Sequence, residues 1–156
     1  QHTPDVIVTA LNDLFSRFDI RALSMGIEKI KTLGDAYIAA CGMPKENPNH
    51  AMLILEFARG MLKDIEEYNK TSPVKFSMRI GINSGEITAG IIGKTKFIYD
   101  IWGDAVNVAS RMENCGVENK ITVSESTYNL TKDSVNYEED FAEIKGKGKM
   151  RIFRTE

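Results

Sequence analysis

Residues 99–113 read YDIWGDAVNVASRME and join a strand-like run to an amphipathic helix. Residues 96–102 are rich in β-branched and aromatic side chains, a composition that favours a β-strand. Gly103-Asp104 follows and is typical of a helix start. In the helix, Asn107 and Arg111 are four residues apart, so their side chains share one face. Considered alone, Asp104 is typical of a helix cap, and Asn107 and Arg111 could form a solvated helix face.

A second informative stretch, residues 28–37, reads EKIKTLGDAY. The residues from Ile27 to Lys31 and from Ala36 to Cys41 both have the composition of strands. Between them, Gly34-Asp35 supplies the backbone geometry of a tight turn. We therefore predict a β-hairpin with Asp35 at its tip. Considered alone, this stretch is typical of an ordinary hairpin.

The rest of the chain alternates between helical and extended patterns. In chain order we predict a helix from Thr3-Pro4-Asp5, a helix from Asn47-Pro48 to near Tyr68, a strand at 76–83, a helix from 103 to about 114, a short strand at 121–123, a short helix capped by Ser124 and a hairpin around 145–149. Because helices and strands are interleaved, the predicted fold class is α+β, a sheet covered by helices.

The composition predicts one soluble domain, residues 1–156. Lys and Arg number 20 and Asp and Glu number 22, which gives a formal net charge of −2. A nearly balanced charge gives no general attraction to nucleic acid or to an acidic membrane surface. The apolar runs are also too short to cross a bilayer, so we expect a cytoplasmic domain without direct membrane contact.

The cysteines and histidines exclude several classes of site. Cys41 and Cys115 belong to no CxxC pair, so we expect free thiols in a reducing compartment and neither a zinc site nor a disulfide framework. His2 and His50 lie far apart in polar stretches, which leaves no Ser/His or His-rich metal constellation. Any chemistry must therefore depend on carboxylates, Lys, Arg and the backbone.

Gly93-Lys94-Thr95 ends like a phosphate-binding P-loop, but the pattern is incomplete. Thr88 occupies the position of the first glycine, and the residues that follow favour a strand rather than the helix that would hold a phosphate. We interpret this segment as a glycine-tolerant turn.

Taken together, four blocks resemble the catalytic domain of class III nucleotidyl cyclases. They are residues 28–37, residues 79–85 (RIGINSG), residues 99–113 and residues 145–148 (KGKG). The resemblance extends from Thr3 to Phe153 in the order and spacing of the family. It implies a ferredoxin-like βαββαβ core and a head-to-tail dimer with active sites at the interface. It also implies conversion of a nucleoside triphosphate to its 3′,5′-cyclic monophosphate and pyrophosphate.

The resemblance assigns three residues to metal and base recognition. Asp35 matches one of two aspartates that hold two Mg²⁺ or Mn²⁺ ions per site. Lys31 and Asp100 match the pair that recognises the purine. Adenine has an acceptor at N1 and a donor at its exocyclic amine, so a Lys donor and an Asp acceptor favour ATP over GTP.

Three further residues match positions that bind the ribose and phosphates. Asn107 and Arg111 match the pair that positions the ribose and stabilises the transition state, and Lys145 matches the residue that binds the terminal phosphates. In the family, the metal aspartates come from one subunit and the remaining groups come from the other. The resemblance therefore implies a homodimer with two equivalent shared sites.

One part of the family pattern is not found in this sequence. The first strand, with the other metal aspartate in a motif like Asp-Ile-x-Gly-Phe-Thr, lies further upstream of Asp35 than the 34 residues present here. Asp5 and Asp13 lie in a helical stretch without that motif, so neither is assigned as a ligand. We therefore expect residues 1–156 to be one cyclase domain that lacks its first strand and belongs to a longer protein, soluble or membrane-attached.

The leading hypothesis is an adenylate cyclase catalytic domain. A guanylate cyclase is the second, and Lys31 and Asp100 disfavour it. The third is a module of the same fold that binds a nucleotide or a partner subunit without turnover. Only the absent aspartate favours this third hypothesis, because the other matched positions keep the residue of the family.

Overall fold

A computed structural model describes residues 2–95 and 98–156 of the chain. These residues form two compact units, Gln1–Ser77 and Met78–Glu156. The elements of the first unit are α1 (Pro4–Met25), β1 (Glu28–Leu33), β2 (Ala36–Ala40) and α2 (His50–Thr71). Those of the second are β3 (Ile80–Ile82), β4 (Thr88–Ile92), β5 (Ile98–Trp102), α3 (Asp104–Asn114), β6 (Ile121–Ser124), α4 (Glu125–Thr131), β7 (Tyr137–Ile144) and β8 (Gly148–Thr155).

Helix α1 begins at the predicted position. The Thr3 hydroxyl accepts a hydrogen bond from the backbone N–H of Val6 at 3.4 Å, and Pro4 occupies the first turn, where its missing N–H costs nothing. Gly26 ends the helix in the left-handed conformation and leads directly into β1.

Aromatic contacts hold the β1–β2 hairpin against the helices of the first unit. The Tyr37 ring lies 5.4 Å from that of Phe15, 5.5 Å from that of Phe18 and 6.4 Å from that of Phe57, measured between centroids. Such tilted and edge-on pairs add to the stabilisation from apolar burial. The two helices are joined separately by a bidentate ion pair between Arg21 and Asp64, with N–O distances of 2.9 and 2.8 Å.

The second unit contains a four-stranded sheet in the order β3-β6-β8-β7 and a separate antiparallel pair, β4-β5. Strand β3 is parallel to β6, and the other neighbours in the larger sheet are antiparallel. Helix α3 packs on this sheet through a cluster of buried apolar side chains from α3, β7 and β8: Val108, Met112, Ile144 and Ile152. The predicted α+β class is confirmed.

Two predictions differ from the structure, one on the length of a strand and one on a helix cap. The strand predicted at 76–83 forms ladder pairs only over Ile80–Ile82. The Asn69 side chain bonds to both backbone groups of Phe76, and Asn119 bonds to both backbone groups of Met78, so side chains and a loop replace a strand partner. The strand predicted from residue 96 is described from Ile98, since residues 96 and 97 lie outside the described residues.

The second difference concerns the cap of α4. Ser124 is the residue at the cap position, but its side chain makes no capping hydrogen bond. Its hydroxyl instead donates to Oδ1 of Asn83 at 2.5 Å. The serine therefore joins β6 to the residue that follows β3.

Candidate active site

Asp35 lies at the tip of the β1–β2 hairpin, as predicted. It is the second residue of a two-residue turn, and Gly34 before it has φ +62°, a conformation that glycine adopts without strain. Asp35 is exposed and has no hydrogen-bond or ion-pair partner among residues 2–95 and 98–156. Its carboxylate oxygens are therefore available to a ligand.

A β-bulge in β1 separates its two lysines. Lys29 lies opposite Ala39 and Lys31 lies opposite Ile38, so Ile30 is an extra residue without a partner in the ladder. Because consecutive residues of β2 point to opposite faces, Lys29 and Lys31 lie on opposite faces of the hairpin. In a regular strand the two lysines would share a face.

Lys29 lies on the face that packs against α1. Its ammonium nitrogen donates to Asp19 at 3.0 Å and lies 5.5 Å from the centroid of the Tyr37 ring. The Tyr37 hydroxyl donates to the same carboxylate at 2.7 Å. Burial and then the bond to Asp19 raise the pKa of Tyr37 well above its usual range, so the phenol stays protonated.

Asp100 lies in β5 of the second unit, half-buried and opposite Gly90 of β4. Its Oδ1 accepts a hydrogen bond from the backbone N–H of Ile101 at 2.8 Å. This local bond orients the carboxylate.

Asn107 and Arg111 lie on one face of α3, as the spacing predicts. Asn107 is exposed and Arg111 is partly exposed, while the adjacent Val108 and Met112 are buried against the sheet. Within the described part of the chain, neither Asn107 nor Arg111 has a hydrogen-bond or ion-pair partner. The helix thus presents an amide and a guanidinium that can bind a polar ligand.

Two contacts position α3. A Cβ built on Gly81 of β3 would lie 2.1 Å from the backbone nitrogen of Glu113 and 2.6 Å from the carbonyl oxygen of Ala109, so only glycine allows this close packing. At the other end of the helix, the Asn83 amide donates to the carbonyl of Ala105 at 3.0 Å. Both residues belong to the stretch 79–85.

Asn83 also anchors a small polar network that the sequence analysis did not predict. Its Oδ1 accepts from the hydroxyls of Ser124 and Ser126 at 2.5 and 3.0 Å. The Ser84 hydroxyl lies 2.8 Å from that of Thr127. The network joins the ends of β3 and β6 to the starts of α3 and α4, and only the polarity of the two serine-containing segments could have suggested it.

Lys145 lies in the turn between β7 and β8 and is exposed, and it forms no hydrogen bond or ion pair with another residue of the described ranges. Lys147, two residues later, donates instead to Asp104 at the start of α3 at 2.6 Å. The contact brings the lysine-rich tip to the helix that carries Asn107 and Arg111. The assignment of Lys145 stays a prediction, and the sequence analysis did not predict the contact of Lys147.

Comparison with known protein families shows which family this chain belongs to. A model described as the adenylate and guanylate cyclase catalytic domain matches residues 1–156. The chain belongs to this family. The predicted resemblance is therefore confirmed, while the assignment of individual site residues stays a prediction.

Relatives of this cyclase domain include both adenylate and guanylate cyclases. Adenylate cyclase type 9 of Gallus gallus is 42% identical over 158 residues, which cover 92% of the chain but only 12% of that protein. The chain thus corresponds to a small part of this relative. The names of the relatives leave the choice between ATP and GTP open.

Solved cyclase structures have the same fold. The guanylate cyclase domain of RhGC from Catenaria anguillulae, solved in complex with GTP, has a TM-score of 0.93 at 34% identity and covers 100% of this chain and 86% of that one. The adenylyl cyclase CyaB from P. aeruginosa has a TM-score of 0.92 at 25% identity, with coverages of 100% and 85%. The predicted cyclase fold is confirmed.

Asp35 of this cyclase domain suits a hard divalent cation. Mg²⁺ takes oxygen ligands and is usually held by one or two carboxylates together with substrate phosphates, and an exposed carboxylate on a tight turn can supply one such ligand. In residues 2–95 and 98–156, no three His, Cys, Asp or Glu side chains cluster as a metal site. Asp35 therefore fits as one ligand of a larger set.

Two further predictions concern the cysteines and the membrane. Cys41 and Cys115 are free, as expected, and partial burial raises the pKa of each thiol. Among the helices of the described ranges, none combines the length and the apolar character that a bilayer-spanning segment needs.

Proposed function

We propose that this chain is the catalytic domain of an adenylate cyclase, which converts ATP to 3′,5′-cyclic AMP and pyrophosphate. The observation that carries the choice of ATP is the pair of residue types at positions 31 and 100. Lys31 is a donor for N1 of adenine, and Asp100 is an acceptor for its amine. Guanine presents the opposite pattern, an N1–H donor and an O6 acceptor.

The reaction forms one bond and breaks one bond at the α-phosphorus of ATP. The ribose 3′-oxygen attacks this atom, the bond from the α-phosphorus to the bridging oxygen of the β-phosphate breaks, and pyrophosphate leaves with the electron pair. The proton of the 3′-hydroxyl passes to solvent or to a phosphate oxygen. Negative charge builds up on the oxygens around the α-phosphorus during attack.

Arg111 and Asn107 are proposed as the catalytic residues. The Arg111 guanidinium, partly exposed on α3, can donate to the α-phosphate oxygens as their charge increases, and this stabilises the transition state more than the ground state. Asn107, one turn earlier, can orient the ribose by hydrogen bonding. Lys145 provides a flexible cation for the departing pyrophosphate.

Asp35 is proposed as a ligand of two Mg²⁺ or Mn²⁺ ions, together with ligands from outside the described residues. When bound, the ions would lower the pKa of the ribose 3′-hydroxyl and neutralise charge on the phosphates. The contribution of the chain itself is the exposed carboxylate, which the Gly34 turn holds away from competing donors.

We propose a homodimer in which Asp35 of one subunit completes a site that contains Arg111 of the other. The β4–β5 pair supports this proposal, since it exposes Ile91 (69%), Ile92 (47%) and Trp102 (40%). Exposed apolar side chains on a two-stranded pair are typical of a protein interface. A two-fold dimer would bury the same strand pair on each subunit and create two equivalent sites.

The test is product formation by the whole protein with ATP or GTP, in the presence of Mg²⁺ or Mn²⁺. We expect cyclic AMP as the main product and a kcat/KM for ATP at least about tenfold that for GTP, the scale of one well-placed hydrogen-bonding pair. Cyclic GMP as the main product would make the chain a guanylate cyclase. No product from verified dimers would favour the nucleotide-binding or partner-binding module.

A further inference from the structure

We propose that Asp19 and Tyr37 are positioning residues that set the purine preference by fixing the bulge in β1, and thereby the face from which Lys31 projects. This inference rests on the proposed function, because it assigns the purine contact to Lys31. Asp19 on α1 and Tyr37 on β2 meet on the helix-facing side of the hairpin and act through the hairpin, without contact to the substrate.

The bulge determines which residue of β1 is available to the purine base. In the observed register, Lys31 lies opposite Ile38 on the face away from α1. If β1 continued from Lys29 without a bulge, Ile30 would take that position, and Lys31 would turn toward α1. An aliphatic side chain cannot donate to a purine nitrogen, so the register decides whether the contact exists.

The hairpin itself specifies this register only weakly. It is a two-stranded sheet of six and five residues, joined by a two-residue turn, and sheets of this size are marginally stable alone. Both lysines of the sequence KIK are equally suited to pair with an acid on α1. Selection of one lysine therefore needs a contact that distinguishes them.

The Asp19 carboxylate provides that contact to both strands at once. One oxygen lies 3.0 Å from the Lys29 nitrogen on β1, and the other accepts from the Tyr37 hydroxyl on β2 at 2.7 Å. Lys29 precedes the bulge, and Thr32, which lies opposite Tyr37, follows it. One side chain of α1 thus fixes the ladder on both sides of the extra residue.

The same contact also places the ammonium groups of the two lysines on opposite faces of the hairpin. Lys29 is paired with Asp19 and lies near the Tyr37 ring, which keeps its ammonium group on the helix side. Lys31 is then the lysine of β1 on the opposite face. The structure therefore connects a carboxylate in a helix to the chemistry of a residue on the far side of the hairpin.

The experiment compares kcat/KM for ATP and GTP in the whole protein with Asp19→Asn, Tyr37→Phe and the matched control Asp64→Asn. Asp19→Asn removes the charge that holds Lys29, and Tyr37→Phe removes one hydrogen bond but keeps the ring. Asp64→Asn breaks an ion pair of similar geometry in the same unit, between α1 and α2. A purely structural role would affect all three variants alike.

We expect the ratio of kcat/KM for ATP to that for GTP to fall by on the order of tenfold in Asp19→Asn and by less in Tyr37→Phe, because small displacements of a binding group have large effects. Asp64→Asn should keep the wild-type ratio. If Asp19→Asn fails to fold, Tyr37→Phe decides the question.

Two results would contradict these proposals in different ways. A wild-type protein that forms no cyclic AMP, or prefers GTP, would refute the proposed function. An ATP-selective wild type whose ratio survives Tyr37→Phe and Asp19→Asn unchanged would refute the positioning role alone.

Discussion

Lys147 in the turn between β7 and β8 donates to Asp104, the first residue of α3, across a distance of 2.6 Å and a sequence separation of 43 residues. The pair joins the tip that carries Lys145 to the helix that carries Asn107 and Arg111. Asp104 is also well placed at a helix N-terminus, where a negative charge is stabilised. Two proposed parts of the active site are therefore coupled by one ion pair.

Lys147→Met should make the turn between β7 and β8 more mobile without unfolding the protein. The pair is largely exposed, at 39% and 66% of the two side chains, so its loss should change the free energy of unfolding by less than about 1 kcal/mol. Exchange of the backbone amide at position 147, which bonds to the Ile144 carbonyl, should become faster. Lys145→Met is the control, and equal acceleration in both variants would contradict a specific role of Lys147.

Gly81→Ala should destabilise the second unit strongly. The added methyl group would overlap the backbone of α3 at Glu113 and Ala109, which cannot move as a flexible side chain can. We expect the free energy of unfolding, measured with urea, to fall by about 3 kcal/mol, which is at the upper end of the range for overpacking. Gly146→Ala, at φ +80° with no neighbour within 4 Å, should cost only about 1 kcal/mol. Similar losses in both variants would show that α3 does not pack closely on β3.

Arg111→Ala should lower kcat by on the order of 10²-fold or more and leave KM for ATP nearly unchanged, since it removes a donor that acts mainly in the transition state. Arg79→Ala is the matched control, because Arg79 pairs at 3.2 Å with Glu113 on the same helix and is half-exposed. Steady-state kinetics of both variants test the assignment. Wild-type kcat in Arg111→Ala would remove this residue from the mechanism.

A mixture of Asp35→Ala and Arg111→Ala chains should recover activity that neither variant has alone. In a shared-site homodimer, half of the randomly mixed dimers would contain one intact site, so we expect about a quarter of the wild-type rate. Cyclic AMP formation after mixing and re-equilibration measures this. Absence of recovery in a sample shown to contain heterodimers would exclude sites shared in this way.

Because of Tyr37, the free energy of unfolding should fall at alkaline pH. The pKa of Tyr37 is raised above the ordinary value of 10.0 by burial and by Asp19, so the unfolded chain loses this proton first as the pH rises. The stability that the neutral phenol contributes is complete below about pH 10 and is lost as the pH rises toward the folded-state pKa. Urea unfolding at about pH 9 and pH 11 should show a smaller loss for Tyr37→Phe than for wild type. Equal losses would contradict the shift.

Most of the elements could be predicted from local sequence. The start of α1 follows from the side-chain cap of Thr3 and from Pro4, and the turn at Gly34-Asp35 follows from the glycine that its backbone needs. The shared face of Asn107 and Arg111 follows from the helical period. Each of these features depends on residues within a few positions of one another.

Other features depended on partners far away in the sequence. The strand predicted at 76–83 is short because Asn69 and Asn119 take the backbone bonds of its first residues. Which of the two lysines, Lys145 or Lys147, pairs with Asp104 depends on the position of this aspartate on a different element. Residue type alone could not distinguish two lysines separated by a single glycine.

The sequence by itself determined the order of helices and strands, because this order follows from local periodicity and turn chemistry. It also determined the cyclase family and the set of candidate residues, through the resemblance of four blocks to that family. Only the tertiary structure decided which face of the hairpin carries Lys31. That choice depends on a bulge at Ile30 and on bonds from Asp19 to both strands. Side chains along a strand alternate between the two faces of a sheet unless a bulge shifts the register. The bulge in β1 depends on contacts between residues far apart in the sequence, which a local sequence pattern does not show.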